Sequence, residues 1–233
     1  MIKILDYATS IKTWFTSDLH LGHSSILYFH PLRREAAGIT LDELQADRDA
    51  AIKKHDEWLV DLWNQTVRKE DHVYILGDFC LANKEYTEKI LSKLKGKKFL
   101  IEGNHDKSLH GLERYFEWYG QIKEAKFTNN QYEFIDPNET FCIEMCHYPL
   151  LTWNRRPHGT CMVHGHCHST IDEFNMLSGE LRVDVGLDTA LASHKLVPLE
   201  DLYKHFRAKL DVSGVSTFEE YNEWKMKNDG FRM

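Results

Sequence analysis

The chain has 233 residues, 42 % of them hydrophobic and 28 % charged, a globular balance with enough apolar material for one sizeable core. Its 29 Lys and Arg against 36 Asp and Glu give a net charge of −7, which excludes a general nucleic-acid binder, because neutralising phosphates needs a cationic surface. No run approaches the roughly 18 uncharged apolar residues of a membrane span, and residues 1–14 lack the apolar core and small-residue cleavage site of a signal peptide. Cys80, Cys142, Cys146, Cys161 and Cys167 are odd in number and have no zinc-knuckle spacing. They read as reduced small hydrophobes, which makes the cytoplasm the expected compartment.

In chain order, residues 11–16 read as a strand and residues 21–34 as a loop or short helix. Thr40 and Glu43 form a capping box that opens a helix reaching about residue 67, with one apolar stripe at Leu41, Leu44, Ile52, Leu59, Leu62 and Trp63. A strand at 71–76, a helix at about 84–94 and a strand at 98–101 follow, a strand-helix-strand order typical of α/β sheets. Residues 109–118 are expected to be helical. The pattern then shortens and alternates at 122–127, 131–135 and 140–146, with Asn129-Asn130 and Asp136-Pro137-Asn138 as turns, which predicts a second, largely antiparallel sheet. Strands at 161–164, 181–184 and 195–198 and helices at 199–210 and 217–228 complete the chain. The expectation is one domain over residues 1–233, two sheets packed together and flanked by helices, with a helical extension from about residue 199.

Five segments carry chemistry. Asp18 and His20 follow the first strand; Gly77-Asp78 and Gly103-Asn104-His105-Asp106 follow the next two; His147 follows 141–145; and Gly165-His166-Cys167-His168 follows 161–164. Asp18 and His20, two apart in an extended run, leave the same face and can grip one ion, and His166 and His168 repeat the device, as does His164 one pleat earlier. Cys167 between them could be read as a ligand itself, but in an extended strand it points away from both. Seven oxygen and nitrogen donors exceed what one small divalent ion takes, so two ions sharing Asp78 fit the count better. The mixed donor set suits manganese, iron, nickel, cobalt or zinc, with manganese the expected activating ion in vitro.

The order Asp-x-His, Gly-Asp, Gly-Asn-His-Asp, His, Gly-His-x-His resembles the calcineurin-like metallophosphoesterase superfamily. The opening Ser17-Asp18-Leu19-His20-Leu21-Gly22-His23 is similar to its small bacterial and phage members, and 184–188 resembles their closing strand. The resemblance implies a four-layer α/β/β/α sandwich of two mixed sheets. It also implies two metal sets, Asp18, His20 and His168 with bridging Asp78, and Asn104, His147 and His166 with the same Asp78. The nucleophile would be a metal-bridging hydroxide, with no covalent intermediate.

By the same resemblance His105 is a catalytic acid or a cationic contact to a non-bridging oxygen. Asp106 either orients it or caps a helix. His23 is expected to bond a phosphate oxygen or a metal-bound water, and His30 reads as a surface histidine. Arg33 and Arg34 fit either a paired phosphate clamp or solvated loop arginines. Arg155 and Arg156, with Trp153, fit either a substrate rim or an ordinary crossover. The substrate expected is a phosphodiester, whether nucleotide, cyclic nucleotide or nucleic-acid end, with phosphomonoesters or phosphoproteins as the alternative. A ligand-poor protein-binding scaffold is disfavoured because all seven ligand positions are filled.

Overall fold

The computed structural model describes residues 10–228, so the signal-peptide reading of residues 1–9 and the last residues of the C-terminal extension lie outside the described residues. The first half runs β1 (Thr13–Thr16), α1 (Ile26–Phe29), α2 (Pro31–Ala36), α3 (Leu41–Ala46), α4 (Arg48–Thr66), β2 (His72–Ile75), α5 (Lys84–Leu91), β3 (Lys97–Ile101) and β4 (Trp118–Gly120). The second half runs β5 (Ile122–Thr128), β6 (Thr140–Cys146), β7 (Cys161–His164), α6 (Asp172–Leu177), β8 (Arg182–Asp184), β9 (Val197–Pro198), α7 (Leu199–Ser213) and α8 (Phe218–Asn228). Two mixed sheets result, ordered β4-β3-β2-β1-β9 and β5-β6-β7-β8.

The period of two along each strand sorts the core into layers. Val73 and Ile75 of β2 and Leu100 of β3 face α4 and α5, packing on Leu59, Trp63 and Ile90. The alternate residues Tyr74 and Leu76, with Phe15 and Ile101, face the second sheet and meet Phe127, Phe141, Ile143, Met145 and Val163. Helices α7 and α8 add Leu202, Phe206 and Phe218 to this cluster. On the far side of the second sheet Trp153 covers Cys146 and Met162. The layers are thus helices, sheet, sheet, and an outer cover of short helix and loop. Among the described residues no helix is long and apolar enough to cross a membrane.

Several elements depart from the sequence reading. The helix expected from Thr40 to Val67 is two. The Thr40 and Glu43 capping box starts α3, and Asp47 then leaves helical geometry to cap α4 through the amides of Asp49 and Ala50. Two 3-10 turns, Asp106–Leu109 and Glu113–Tyr115, replace the helix expected at 109–118, because Gly111 between them has φ +82°. Residues 131–135 form a turn rather than a strand, held by Asn129 Nδ2 donating to the carbonyls of Glu133 and Ile135. The second sheet is mixed rather than largely antiparallel: β5 and β6 are antiparallel, but β7 joins β6 and β8 joins β7 in parallel. Strand β9 closes the first sheet, antiparallel to β1.

Candidate metal centre

Strands β1, β2 and β3 lie side by side and parallel, and each ends in a ligand-bearing loop on the same edge, where open α/β sheets place their sites. The loop after β1 keeps step with the one after β2: Asp18 N–H donates to the Gly77 carbonyl (3.0 Å) and His20 N–H to the Asp78 carbonyl (2.9 Å). The donors do not leave extended backbone, as the sequence reading had it. Asp18, His20, Asp78, His166 and His168 have φ of 57°, 49°, 52°, 70° and 46°, left-handed values that cost a residue with a Cβ about 1 kcal/mol each. Each such turn re-aims one side chain at the cluster. Gly77 and Gly165 permit the close approach: a Cβ on Gly77 would strike the His147 ring and the Gly103 backbone, and one on Gly165 would strike Ser17 and Asp18.

Two donor groups result. Asp18 Oδ1 lies 3.9 Å from His20 Nε2 and 3.6 Å from His168 Nε2, and those two ring nitrogens are 3.1 Å apart. In the second, His147 Nε2 is 3.0 Å from Asn104 Oδ1, and Asp78, His147 and His166 bring one ligand atom each within 4.8 Å of one another. Asp78 stands between the groups, with Oδ2 3.6 Å from His20 Nε2 and Oδ1 3.6 Å from His147 Nε2.

The chemistry of these donors fits cations. His147 Nδ1 lies 2.7 Å from the Leu76 carbonyl, which can only accept, so Nδ1 carries the proton and Nε2 turns its lone pair on Asn104 Oδ1. Asp18 Oδ1 is buried without a hydrogen-bond partner, and burial pushes this carboxyl above its ordinary value. Burial, with His168 and Arg33 nearby, pushes His20 down to about 2, which keeps it in the neutral, metal-binding form.

Three supporting carboxylates were not legible as such. Asp106 does not orient His105. It is buried, Oδ2 accepts the amides of Asp78 (2.9 Å) and Gly103 (2.8 Å), and Oδ1 accepts that of Phe79 (2.8 Å). It ties the loops after β2 and β3 together. Asp188 accepts from His168 Nδ1 at 2.8 Å and from Arg33 Nε and Nη2 at 2.7 and 2.6 Å. Burial alone would raise Asp188, but these bonds outweigh it and hold the carboxyl well below its usual range. A depressed carboxylate loses its contribution only as pH falls through its lowered pKa, so the unit stays intact across the neutral range. Asp56 on α4 accepts the Gly22 amide and the Tyr86 hydroxyl, bracing the turn before His23.

The expected substrate contacts divide. His23 stands beside His20, ring centroids 5.5 Å apart, with a buried Nδ1 that has no partner. His105 is half exposed, its Nε2 4.0 Å from Asp78 Oδ2. His30 is no idle surface residue: its ring stacks on His168 at 4.7 Å and its Nδ1 is 3.3 Å from Asp188. Arg33 departs from the phosphate clamp, being 0 % exposed with its guanidinium committed to Asp188 and the carbonyls of Asp18 and Leu19. Arg34 donates to the Leu27 carbonyl. Arg155 is exposed, whereas Arg156 binds Glu180 and stacks over Trp153. Glu180 also pairs with Lys225 of α8, so Arg156 belongs to the docking of that helix.

A carboxylate behind a ligating histidine fixes its tautomer and raises its basicity, and losing one costs about 10 to 100-fold in metal affinity. Asp188→Asn should therefore weaken Mn2+ binding by about that factor in a calorimetric titration while the chain stays folded. An unchanged affinity would leave Asp188 only a structural partner of Arg33.

Residues 11–227 match the calcineurin-like phosphoesterase family. The chain is similar to the Gene 66 protein of Mycobacterium phage D29, 30 % identical over 208 residues covering 82 % of this chain and 94 % of the relative. The Gene 66 protein of Mycobacterium phage L5 is 26 % identical over 230 residues, 88 % and 99 % of the two chains. An uncharacterized protein of Methanocaldococcus jannaschii, MJ1445, is 24 % identical over 196 residues, 83 % and 90 %. The solved protein of unknown function AQ665 from Aquifex aeolicus shares the fold, with TM-score 0.55 and 18 % identity over 84 % of this chain and all of its own. With the family match spanning nearly all described residues, this chain is a member of the calcineurin-like phosphoesterase family.

Proposed function

We propose that the protein is a binuclear metal-dependent phosphoesterase acting on phosphodiesters. The observation that carries this reading is the Asp78 carboxylate, one oxygen turned to each donor group at 3.6 Å. Asp18, His20, His168 and Asp78 would hold one ion, and Asn104, His147, His166 and Asp78 the other. When bound, a pair of divalent ions supplies a water nucleophile activated near neutral pH and neutralises charge on the phosphoryl group.

The chain's own residues supply the rest. His105, half exposed beside Asp78, donates a proton to the leaving oxygen. His23, next to His20, hydrogen-bonds a non-bridging phosphate oxygen. Arg33, buried behind Asp18 and His168, is spent on Asp188, and Arg156 on Glu180. A phosphomonoester dianion calls for such a clamp more than a singly charged diester does, which favours the diester. Nucleotides, cyclic nucleotides and nucleic-acid ends are the substrate classes proposed, manganese the activating ion, and a cytosolic setting suits five free cysteines.

After chelation and reloading with Mn2+, bis-aryl phosphate should turn over faster than aryl monophosphate; the reverse order overturns the diester assignment. His105→Ala should slow alkyl leaving groups by about 10² to 10⁴-fold and activated aryl ones far less. Equal losses on both would remove the acid role.

A further inference from the structure

A second set of metal-type donors adjoins Asp18 outside the ligand cluster. His164 and Asp184 are register partners on the parallel strands β7 and β8, so their side chains leave the same face of the sheet. A ring nitrogen of His164, Sγ of Cys167 and a carboxylate oxygen of Asp184 all lie within 4.8 Å of one another. Metal bonds of about 2.0 to 2.3 Å need only a small closure from there. None of the three belongs to the seven-ligand set. Cys167, set aside as a ligand on the expectation of an extended strand, instead sits between two left-handed residues, His166 and His168, and its sulfur is delivered here.

An independent observation points to a ligand. Asp184 is 1 % exposed. Its Oδ1 accepts the Gly186 amide at 2.7 Å, but Oδ2 is buried with no hydrogen-bond partner. A carboxylate oxygen shut away from water is costly unless it is paired or coordinates a cation. The adjacent Arg182 does not serve: its Nε donates to Asn175 Oδ1 and its Nη1 to the Leu150 carbonyl. His164 Nδ1 lies 2.8 Å from the Gly165 carbonyl and so carries the ring proton. The lone pair is left on Nε2, where the Asn175 amide stands at 3.2 Å, a neutral bond that a cation would replace. One nitrogen, one sulfur and one oxygen suit a borderline transition ion rather than calcium or magnesium.

We propose that His164, Cys167 and Asp184 bind a zinc-class cation at a site separate from the phosphoesterase centre. Cobalt(II) loading of the whole chain tests it, because thiolate coordination gives a near-ultraviolet charge-transfer band that a nitrogen and oxygen centre cannot produce. The wild-type protein should show this band. Cys167→Ser should lose it together with one metal equivalent, and Asp184→Asn should bind that equivalent at least tenfold more weakly. Absence of the band in the wild type, its persistence in Cys167→Ser, or equal metal content in the two proteins would each overturn the proposal. A wild-type spectrum without the band overturns the proposal whether or not the variants fold, and Cys167→Ala is a second variant for the assignment should Cys167→Ser fold poorly. Loss of the band in Cys167→Ser assigns it to this sulfur among the five free cysteines, and a thiolate band cannot come from the nitrogen and oxygen donors of the seven-ligand centre, so the outcome stands apart from whether that centre is binuclear.

Discussion

Replacing Asp78 with Asn should cut turnover by at least on the order of 10³-fold, the scale at which removal of preorganised charge stabilisation is felt, while the chain still folds. The amide oxygen can keep the bond that Oδ1 accepts from the His105 backbone N–H at 2.9 Å, so the loops have no reason to open. What disappears is the one negative charge that both donor groups share. Neither group then carries enough anionic ligand for its ion: the first keeps Asp18 alone, and the second, Asn104, His147 and His166, keeps none. Metal analysis of the purified variant should therefore show depleted content in parallel with lost activity. A variant that binds its full metal complement and retains full activity would remove the bridging role, and with it the mechanism proposed above.

Asp106→Ala carries the second large effect, this time on stability. Three backbone amides, those of Asp78, Phe79 and Gly103, point at this one buried carboxylate. Each amide left without an acceptor costs about 1 to 3 kcal/mol, so a loss on the order of 4 kcal/mol is expected, about 10 °C in melting temperature for a chain of this size. Burial pushes Asp106 up to about 6 although the three amides lower it, so the comparison belongs above pH 7, where the carboxylate is ionised. Asp106→Asn should fall between, since its amide keeps one oxygen acceptor but turns an N–H₂ toward a donor. A melting temperature for Asp106→Ala within a degree of wild type would show that the two loops hold their shape without the tie.

The donors that cluster here could be picked out in the sequence because residues of metal-binding type sat directly behind short apolar runs, and that pattern survives whatever dihedral angles the turns adopt. The turns themselves were not legible: Asp and His adopt left-handed backbone more often than other residues with a Cβ, but too rarely for Asp18-Leu19-His20 to announce it. Arg33 was misread for a different reason. Its partner Asp188 is 155 residues away in sequence, and a buried arginine looks like a solvated one until the partner is seen. The break at Asp47 was hidden by an apolar stripe that continues across it, and the parallel joining of β7 to β6 was hidden because strand sequence carries no direction. The existence of β2 was legible from its apolar run, whereas its two faces, Val73 and Ile75 in one layer and Tyr74 and Leu76 in the next, are seen only in the fold.

The stitching of the β2 and β3 loops by Asp106 has a bearing on which cations the centre tolerates. Neighbouring parallel strands keep a spacing of about 4.8 Å, and here the pairing of Ile75 with Leu100 and the shared carboxylate lock that interval into the ligand loops. The sheet acts as a ruler. An ion of different radius must be met by rotation of individual side chains, because the floor on which Asp78 and Asn104 stand cannot widen to suit it.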